Sequence, residues 1–139
     1  SFGLLNLNAL MAANDLFVPV LADFLSFHGL KLLFETVQSL EEDLSHVLDH
    51  VFIVVNSFNA TFKLAKEALE ALQTHYPEYL LPTIIRQCTK FAQASSEGRP
   101  VFVADPTSKG ATDIQALIDH ILPLMVTTPQ AGSQATKAS

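Results

Sequence analysis

Apolar residues fall along this chain in two kinds of block, short unbroken runs and longer stretches with three-and-four spacing. Val51-Phe52-Ile53-Val54-Val55-Asn56 is the clearest of the first kind, with five apolar residues, mostly β-branched or aromatic, and no polar alternation. Such a run predicts a strand hidden on both faces, in the middle of a parallel sheet covered by helices. Leu16-Phe17-Val18-Pro19-Val20-Leu21 and the run from Leu80 to Ile85 predict two further strands, with Pro19 tolerable towards a strand end. Phe27, Leu30, Leu33, Phe34, Val37 and Leu40 share one helical face, opened by Ser26 as a cap and closed or followed by Glu41-Glu42-Asp43. Asn59 or Thr61 is the expected cap of the next helix, whose buried stripe would be Phe62, Ala65, Leu69 and Leu72 and whose stop is Pro77. Residues 2–14, apolar on most sides, read as a buried helix ending near Asn14. A short helix near 89–94, a turn at Gly98-Arg99-Pro100 and a brief strand at Val101-Phe102-Val103 follow. Pro106-Thr107-Ser108 then starts a last helix lined by Ile114, Leu117, Ile118 and Ile121.

Helices and strands therefore alternate, which predicts an α/β fold with a parallel sheet flanked by helices and wound by right-handed crossovers. Residues 1–126 make this domain. From residue 127 the composition turns to Thr, Gln, Ala, Gly and Ser, and 127–139 reads as a disordered polar tail. Polar residues gather at three strand ends: Asp23, Asn56, and Arg86 with Gln87. Open α/β sheets bind ligands just beyond the carboxyl ends of their strands, so Asn56 is a candidate ligand contact on position alone; it could equally just start a turn.

Length and composition narrow this further. With 139 residues, 49% of them hydrophobic and 16% charged, the chain is apolar for a small domain that must cover itself, which leaves room for a missing neighbour. It opens at Ser1 directly into an apolar segment, as a fragment or processed piece would, with no basic start or cleavage site of a signal peptide. No run approaches the roughly 20 apolar residues of a membrane span. The single cysteine, Cys88, excludes an internal disulfide and fits a reducing, cytosolic compartment. Residues 1–56 carry seven acids and one base (Lys31), whereas residues 57–110 carry six bases and five acids. The overall charge of −6 argues against generic nucleic-acid affinity, yet the middle third can present a local basic face.

Several chemistries lack their residues. There is no G-x-x-x-x-G-K-[ST] loop, no G-x-G-x-x-G and no G-x-S-x-G elbow. Cys88 has no base at a telling spacing. His46 and His50 lie four apart, as a helical metal pair would, but no further ligands accompany them, so a solvated helix end is the expected role.

Leu7-Asn8-Ala9-Leu10-Met11-Ala12-Ala13-Asn14-Asp15, then Val18-Pro19-Val20 with Asp23 and Gly29-Leu30, resembles ParA-type ATPases just after their Walker B segment. In the same order, Asn56 ends the central strand and Gly98-Arg99-Pro100-Val101 leads to Asp105-Pro106-Thr107-Ser108-Lys109-Gly110-Ala111. These look like the family's G-[KR]-P-[IV] and D-P-x-S-K-G-A signatures, and the likeness covers about residues 1–123. The family comprises deviant Walker A ATPases that dimerise on ATP, bind DNA non-specifically and position plasmids, chromosomes or protein cargo.

The resemblance implies the C-terminal half of such a P-loop NTPase-like domain, with the phosphate-binding loop, its lysine and the catalytic aspartate upstream of Ser1. Carried over by position, Asn56 would hydrogen-bond the adenine, Arg86 and Gln87 would lie over the base or ribose, and Gln93 would face the ribose. Lys90 matches a basic position used for DNA, and Lys63, Lys66, Arg99 and Lys109 would extend that patch. Arg86 stands where many relatives have Pro, as in a plasmid-type subgroup, and Leu21 where many have Gln. ATP and Mg²⁺ would be the cofactors of the parent protein. Non-specific DNA, a ParB-like or cargo adaptor protein and a second copy of the chain would be its partners, in the cytoplasm and on the nucleoid. Two alternatives stand beside this: a non-catalytic remnant acting only in dimerisation or binding, and a MinD-like membrane-cycling ATPase. The tail disfavours the second, since residues 127–139 hold one charge, Lys137, and no apolar stripe for membrane binding.

Overall fold

The three apolar runs hydrogen-bond to one another. A computed structural model describes residues 3–25 and 27–126. Their order is α1 (Leu4–Ala12), β1 (Asp15–Leu21), a 3-10 turn (Ala22–Phe24), α2 (Phe27–Leu44), β2 (His50–Phe58), α3 (Lys63–His75), β3 (Leu80–Arg86), α4 (Lys90–Ser96), α5 (Val101–Ala104) and α6 (Lys109–Val126). The strands form a parallel sheet in the order β1-β2-β3, with β2 central. It is the α/β architecture the alternation predicts.

Pairing of β1 with β2 is regular from Asp15↔His50 to Leu21↔Asn56. Pairing of β2 with β3 slips twice, between Ile53 and Val55 and again between Val55 and Phe58. At the second slip Ser57 takes a left-handed backbone, φ 52°. The central strand thus runs two residues past Asn56, the end the apolar pattern suggests.

Both faces of β2 are covered, as the unbroken run requires. Ile53 and Val55 pack with Leu30 of α2 and with Ala65 and Leu72 of α3. Val54, with Leu81 and Ile85 of β3, meets Phe91 of α4 and Ile114, Leu117 and Ile121 of α6 on the other face. Two successive right-handed crossovers moving the same way across a sheet put their helices on one side, so α2 and α3 share a layer. α6 supplies the opposite one.

Five expectations change. Residues 101–103 form a helical turn, not a strand: Pro100 is extended, its carbonyl accepts from the Val103 and Ala104 N–H groups, and Val101 accepts from Asp105. Three apolar residues after a proline fit either structure, and Val101 turns in to pack on Ala94 and Ala111. α1 is not buried; Leu4 and Leu5 are 75% and 84% exposed, and only Leu10 is covered. Phe62 leaves the stripe of α3 because it is the extended residue before the helix, 50% exposed. No side chain caps α3; Asn59 Oδ1 instead accepts from the Thr61 N–H and hydroxyl in a turn leading to it.

The histidines are the fifth. α2 ends at Leu44, and Ser45 follows with φ 53°. His46 lies beyond, its Nε2 3.1 Å from the Ala13 carbonyl oxygen. His50 opens β2, with Nδ1 2.6 Å from Asp15 Oδ1 and its ring stacked on Phe52. Neither is a solvated helix end, and they do not face each other on a helix. The expected cap Ser26 and the tail 127–139 lie outside the described residues.

Candidate functional site

At the carboxyl edge of the sheet, β2 and β3 end together and their last residues wall a cleft of about 570 Å³. Asn56 and Ser57 come from β2, Arg86 from β3, and Gln87, Cys88 and Thr89 from the connection to α4. Ile85, Phe91 and Ile114 give it an apolar floor. Three of the four residues expected at a nucleotide are thus brought together: Asn56, Arg86 and Gln87. The left-handed Ser57 lies directly after Asn56, in a conformation that costs a non-glycine residue about 1–2 kcal/mol.

Gln93 is elsewhere. It stands on the exposed side of α4, accepting from Lys90 Nζ at 3.0 Å and donating to Glu97 Oε1 at 3.0 Å. Asp23 is exposed in the 3-10 turn after β1 and does not line the cleft. Gln87 accepts a hydrogen bond from the Asn59 amide, and its backbone N–H continues the sheet to the Phe58 carbonyl.

Arg86 is tied to a residue the sequence pattern did not single out. Asp113 of α6, 8% exposed, accepts from the Arg86 backbone N–H at 3.0 Å, from Nε at 2.9 Å and from Nη2 at 2.9 Å. Burial pushes the Asp113 carboxyl up, but hydrogen bonds from the Arg86 side chain and backbone, with the charges of Arg86 and Lys109, outweigh it and hold the group below its usual range. Hydrogen bonding to Asp113, then its charge, raises the Arg86 guanidinium in turn. One signal for this pair was present. Asp113 lies three residues after Gly110 and four before Leu117, on the inner flank of an apolar stripe, where a carboxylate requires a partner.

The basic residues occupy helix starts. Lys63 and Lys66 lie in the first turn of α3, Lys90 opens α4 and Lys109 opens α6. None of these first turns holds an acid. In a parallel sheet such starts cluster at the carboxyl edge, so the lysines share the cleft's side of the molecule. They are split between its two layers, α3 on one face and α4 with α6 on the other. Lys63 pairs with Glu67, and Lys90 lies 3.6 Å from Asp105. Arg99, in the turn before α5, is exposed.

The Asp105-Pro106-Thr107-Ser108-Lys109-Gly110 stretch builds the start of α6. Ser108 Oγ accepts the Ala111 N–H as a cap and donates to the Asp105 carbonyl. A hydrogen bond from Thr107, and further the Lys90 charge, keep Asp105 below the usual carboxylate range against a partial burial that raises it. At Gly110 a Cβ would sit 3.0 Å from the Phe91 ring and 3.2 Å from Cys88 Sγ, so a bare backbone lets α6 close on the cleft wall.

Amides at the rim and an apolar floor fit a heteroaromatic base with its sugar. Among the described residues no group of three or more His, Cys, Asp or Glu is placed to hold a metal ion. Among those residues no helix is long and apolar enough to cross a membrane.

No protein-family model matches the chain. It is 94% identical over 126 residues to the cell division protein PomZ of Myxococcus xanthus, an alignment covering 91% of this chain and 40% of that protein. It is 31% identical over 122 residues to the chromosome-partitioning ATPase Soj of Treponema pallidum, covering 88% of this chain and 48% of Soj. The chromosome partitioning protein ParA of Myxococcus xanthus is 26% identical over 117 residues, covering 84% and 41%. The chain spans less than half the length of each of these relatives.

Proposed function

We propose, from the premise that this chain is homologous to the ParA/Soj partition ATPases, that it forms the base- and ribose-binding part of an ATPase. That ATPase dimerises on ATP, holds DNA non-specifically, and partitions a chromosome or plasmid or positions protein cargo. The observation that carries this is the convergence of Asn56, Arg86 and Gln87 on one cleft with an apolar floor at the carboxyl edge of a parallel sheet. The relative named a cell division protein favours cargo positioned for division over a plasmid.

Asn56 is the base-reading amide, with Arg86 and Gln87 at base or ribose. Gln93, held between Lys90 and Glu97, reaches the ribose only if those contacts open on binding. Transfer of a γ-phosphoryl group needs a phosphate-binding loop, a lysine and Mg²⁺ ligands. Those come from residues outside this chain's cleft. Lys63, Lys66, Lys90, Lys109 and Arg99 take DNA phosphates, giving binding that weakens with salt and ignores sequence. A ParB-like or cargo adaptor protein stimulates turnover, and the assembly works in the cytoplasm on the nucleoid.

The test uses the full-length protein that carries this sequence. ATP hydrolysis is expected to rise with random-sequence duplex DNA, and Asn56→Ala should weaken nucleotide binding about tenfold, as loss of a buried hydrogen bond does. Nucleotide binding unchanged by Asn56→Ala would remove the cleft from the mechanism. DNA binding without any nucleotide affinity would favour the non-catalytic alternative.

A further inference from the structure

One carboxylate here grips both the backbone and the side chain of a single cleft residue. Asp113 Oδ2 accepts the Arg86 N–H and Nε, while Oδ1 accepts Nη2 at 2.9 Å and Nε at 3.3 Å. Three N–H groups, with Nε–H shared between the two oxygens, take up most of the roughly four acceptor positions of the carboxylate, and burial shields the rest of it. The two-edged fork also fixes the guanidinium plane, because parallel N–H···O bonds resist rotation about the last side-chain torsions. Arg86 is half-exposed at the cleft wall, and Asp113 approaches it from within the protein. The pair as a whole is neutral.

We propose that Asp113 is a positioning residue: by locking Arg86 in this fork it makes the guanidinium a fixed, charge-balanced plane against which a heteroaromatic base lies. This rests on the nucleotide-binding role of the cleft. A balanced pair attracts phosphate weakly, whereas a flat guanidinium stacks well on aromatic rings. The cleft therefore selects the base end of a nucleotide and leaves the phosphates to other groups. Because α6 carries Asp113 and also begins at Lys109, any movement of α6 reaches the base through this fork.

The experiment compares Asp113→Asn and Arg86→Lys with the unaltered full-length protein, measuring binding of adenosine, ADP and inorganic tripolyphosphate by calorimetry. Asn keeps the shape but loses the charge; Lys keeps the charge but cannot make the fork. Each variant should lose about tenfold in adenosine and ADP affinity, as loss of base stacking does, with tripolyphosphate binding unchanged. The double variant should be no worse than either single one, since both remove the same device. Equal losses for all three ligands would mean a merely structural role and overturn the proposal. So would unchanged adenosine affinity in Arg86→Lys, a variant that leaves the buried carboxylate paired with a cation and so keeps the fold. Failure of the unaltered protein to bind adenosine or ADP would instead overturn the nucleotide-binding role of the cleft, and the proposal with it.

Discussion

Gly110 and Gly98 are both glycines for a reason, and the reasons differ. Gly98 has φ +62° and open space around it, so the backbone alone demands it. Gly110 is helical, where alanine is ordinarily better by up to about 1 kcal/mol, but its missing Cβ is where Phe91 and Cys88 pack. Overpacking of this kind costs about 1–3 kcal/mol. Gly110→Ala is therefore expected to destabilise by about 1 kcal/mol net, read as a lower urea midpoint at constant slope. A higher midpoint would mean that the Phe91 ring yields freely. Neither contact could be read from the sequence, because Cys88, Phe91 and Gly110 meet only once the two helices have docked. The turn glycine was legible, since Gly98-Arg99-Pro100 announces a turn whatever surrounds it.

Among the elements, the three strands and the helices α2, α3 and α6 followed from the apolar pattern, because burial leaves a 3.6-residue or an all-apolar signature. α5 did not, since four residues are too few to carry a period. α1 was legible as a helix but not in its exposure: its apolar residues look like core, and what would cover them is not among the described residues. The helix starts carry a sharper consequence. A cation in the first turn opposes the helix macrodipole by about 0.3–1 kcal/mol, so lysines there weaken the fold. Lys66→Gln should raise stability by about 0.3 kcal/mol while lowering DNA affinity, and the salt slope of binding should fall by about 0.9 if Lys66 meets a phosphate. A DNA titration at several salt concentrations beside thermal melts reads both signs. Lower stability with unchanged DNA binding would remove Lys66 from the interface.

For the whole molecule, acid is the informative perturbation. Asp113 and Asp105 are both held below the ordinary carboxylate range when folded. A depressed pKa contributes stability above the unfolded value, about 3.9 for Asp, and that contribution is lost as pH falls through the folded value. Stability from these two groups should be flat near neutrality and fall below about pH 4. Asp113→Asn should melt lower at pH 7 and show a shallower acid limb, measured as urea midpoints from pH 7 to pH 3. An unchanged limb would mean that Asp113 keeps its partner in the unfolded chain. Net charge did not foretell this behaviour, since an overall −6 says nothing of which carboxylates are tied. The cleft was half legible: strand ends marked Asn56, Arg86 and Gln87, while the carboxylate that orders Arg86 came from a helix far along the chain.

The uninterrupted β1-β2-β3 order also sets how the chain can assemble. Asp15 and His50 are 35 residues apart and Ile53 and Leu80 are 27 apart. Closing the longer loop costs only about 0.2 kcal/mol more entropy than closing the shorter, so loop length gives neither pairing a clear lead. β2 belongs to both, and its fully buried Ile53 and Val55 are needed whichever pairing forms first. Substitutions at these two positions should slow folding, whereas changes at the outer edges of β1 and β3 should chiefly hasten unfolding. The residues most hidden in the finished protein are then those on which its formation waits.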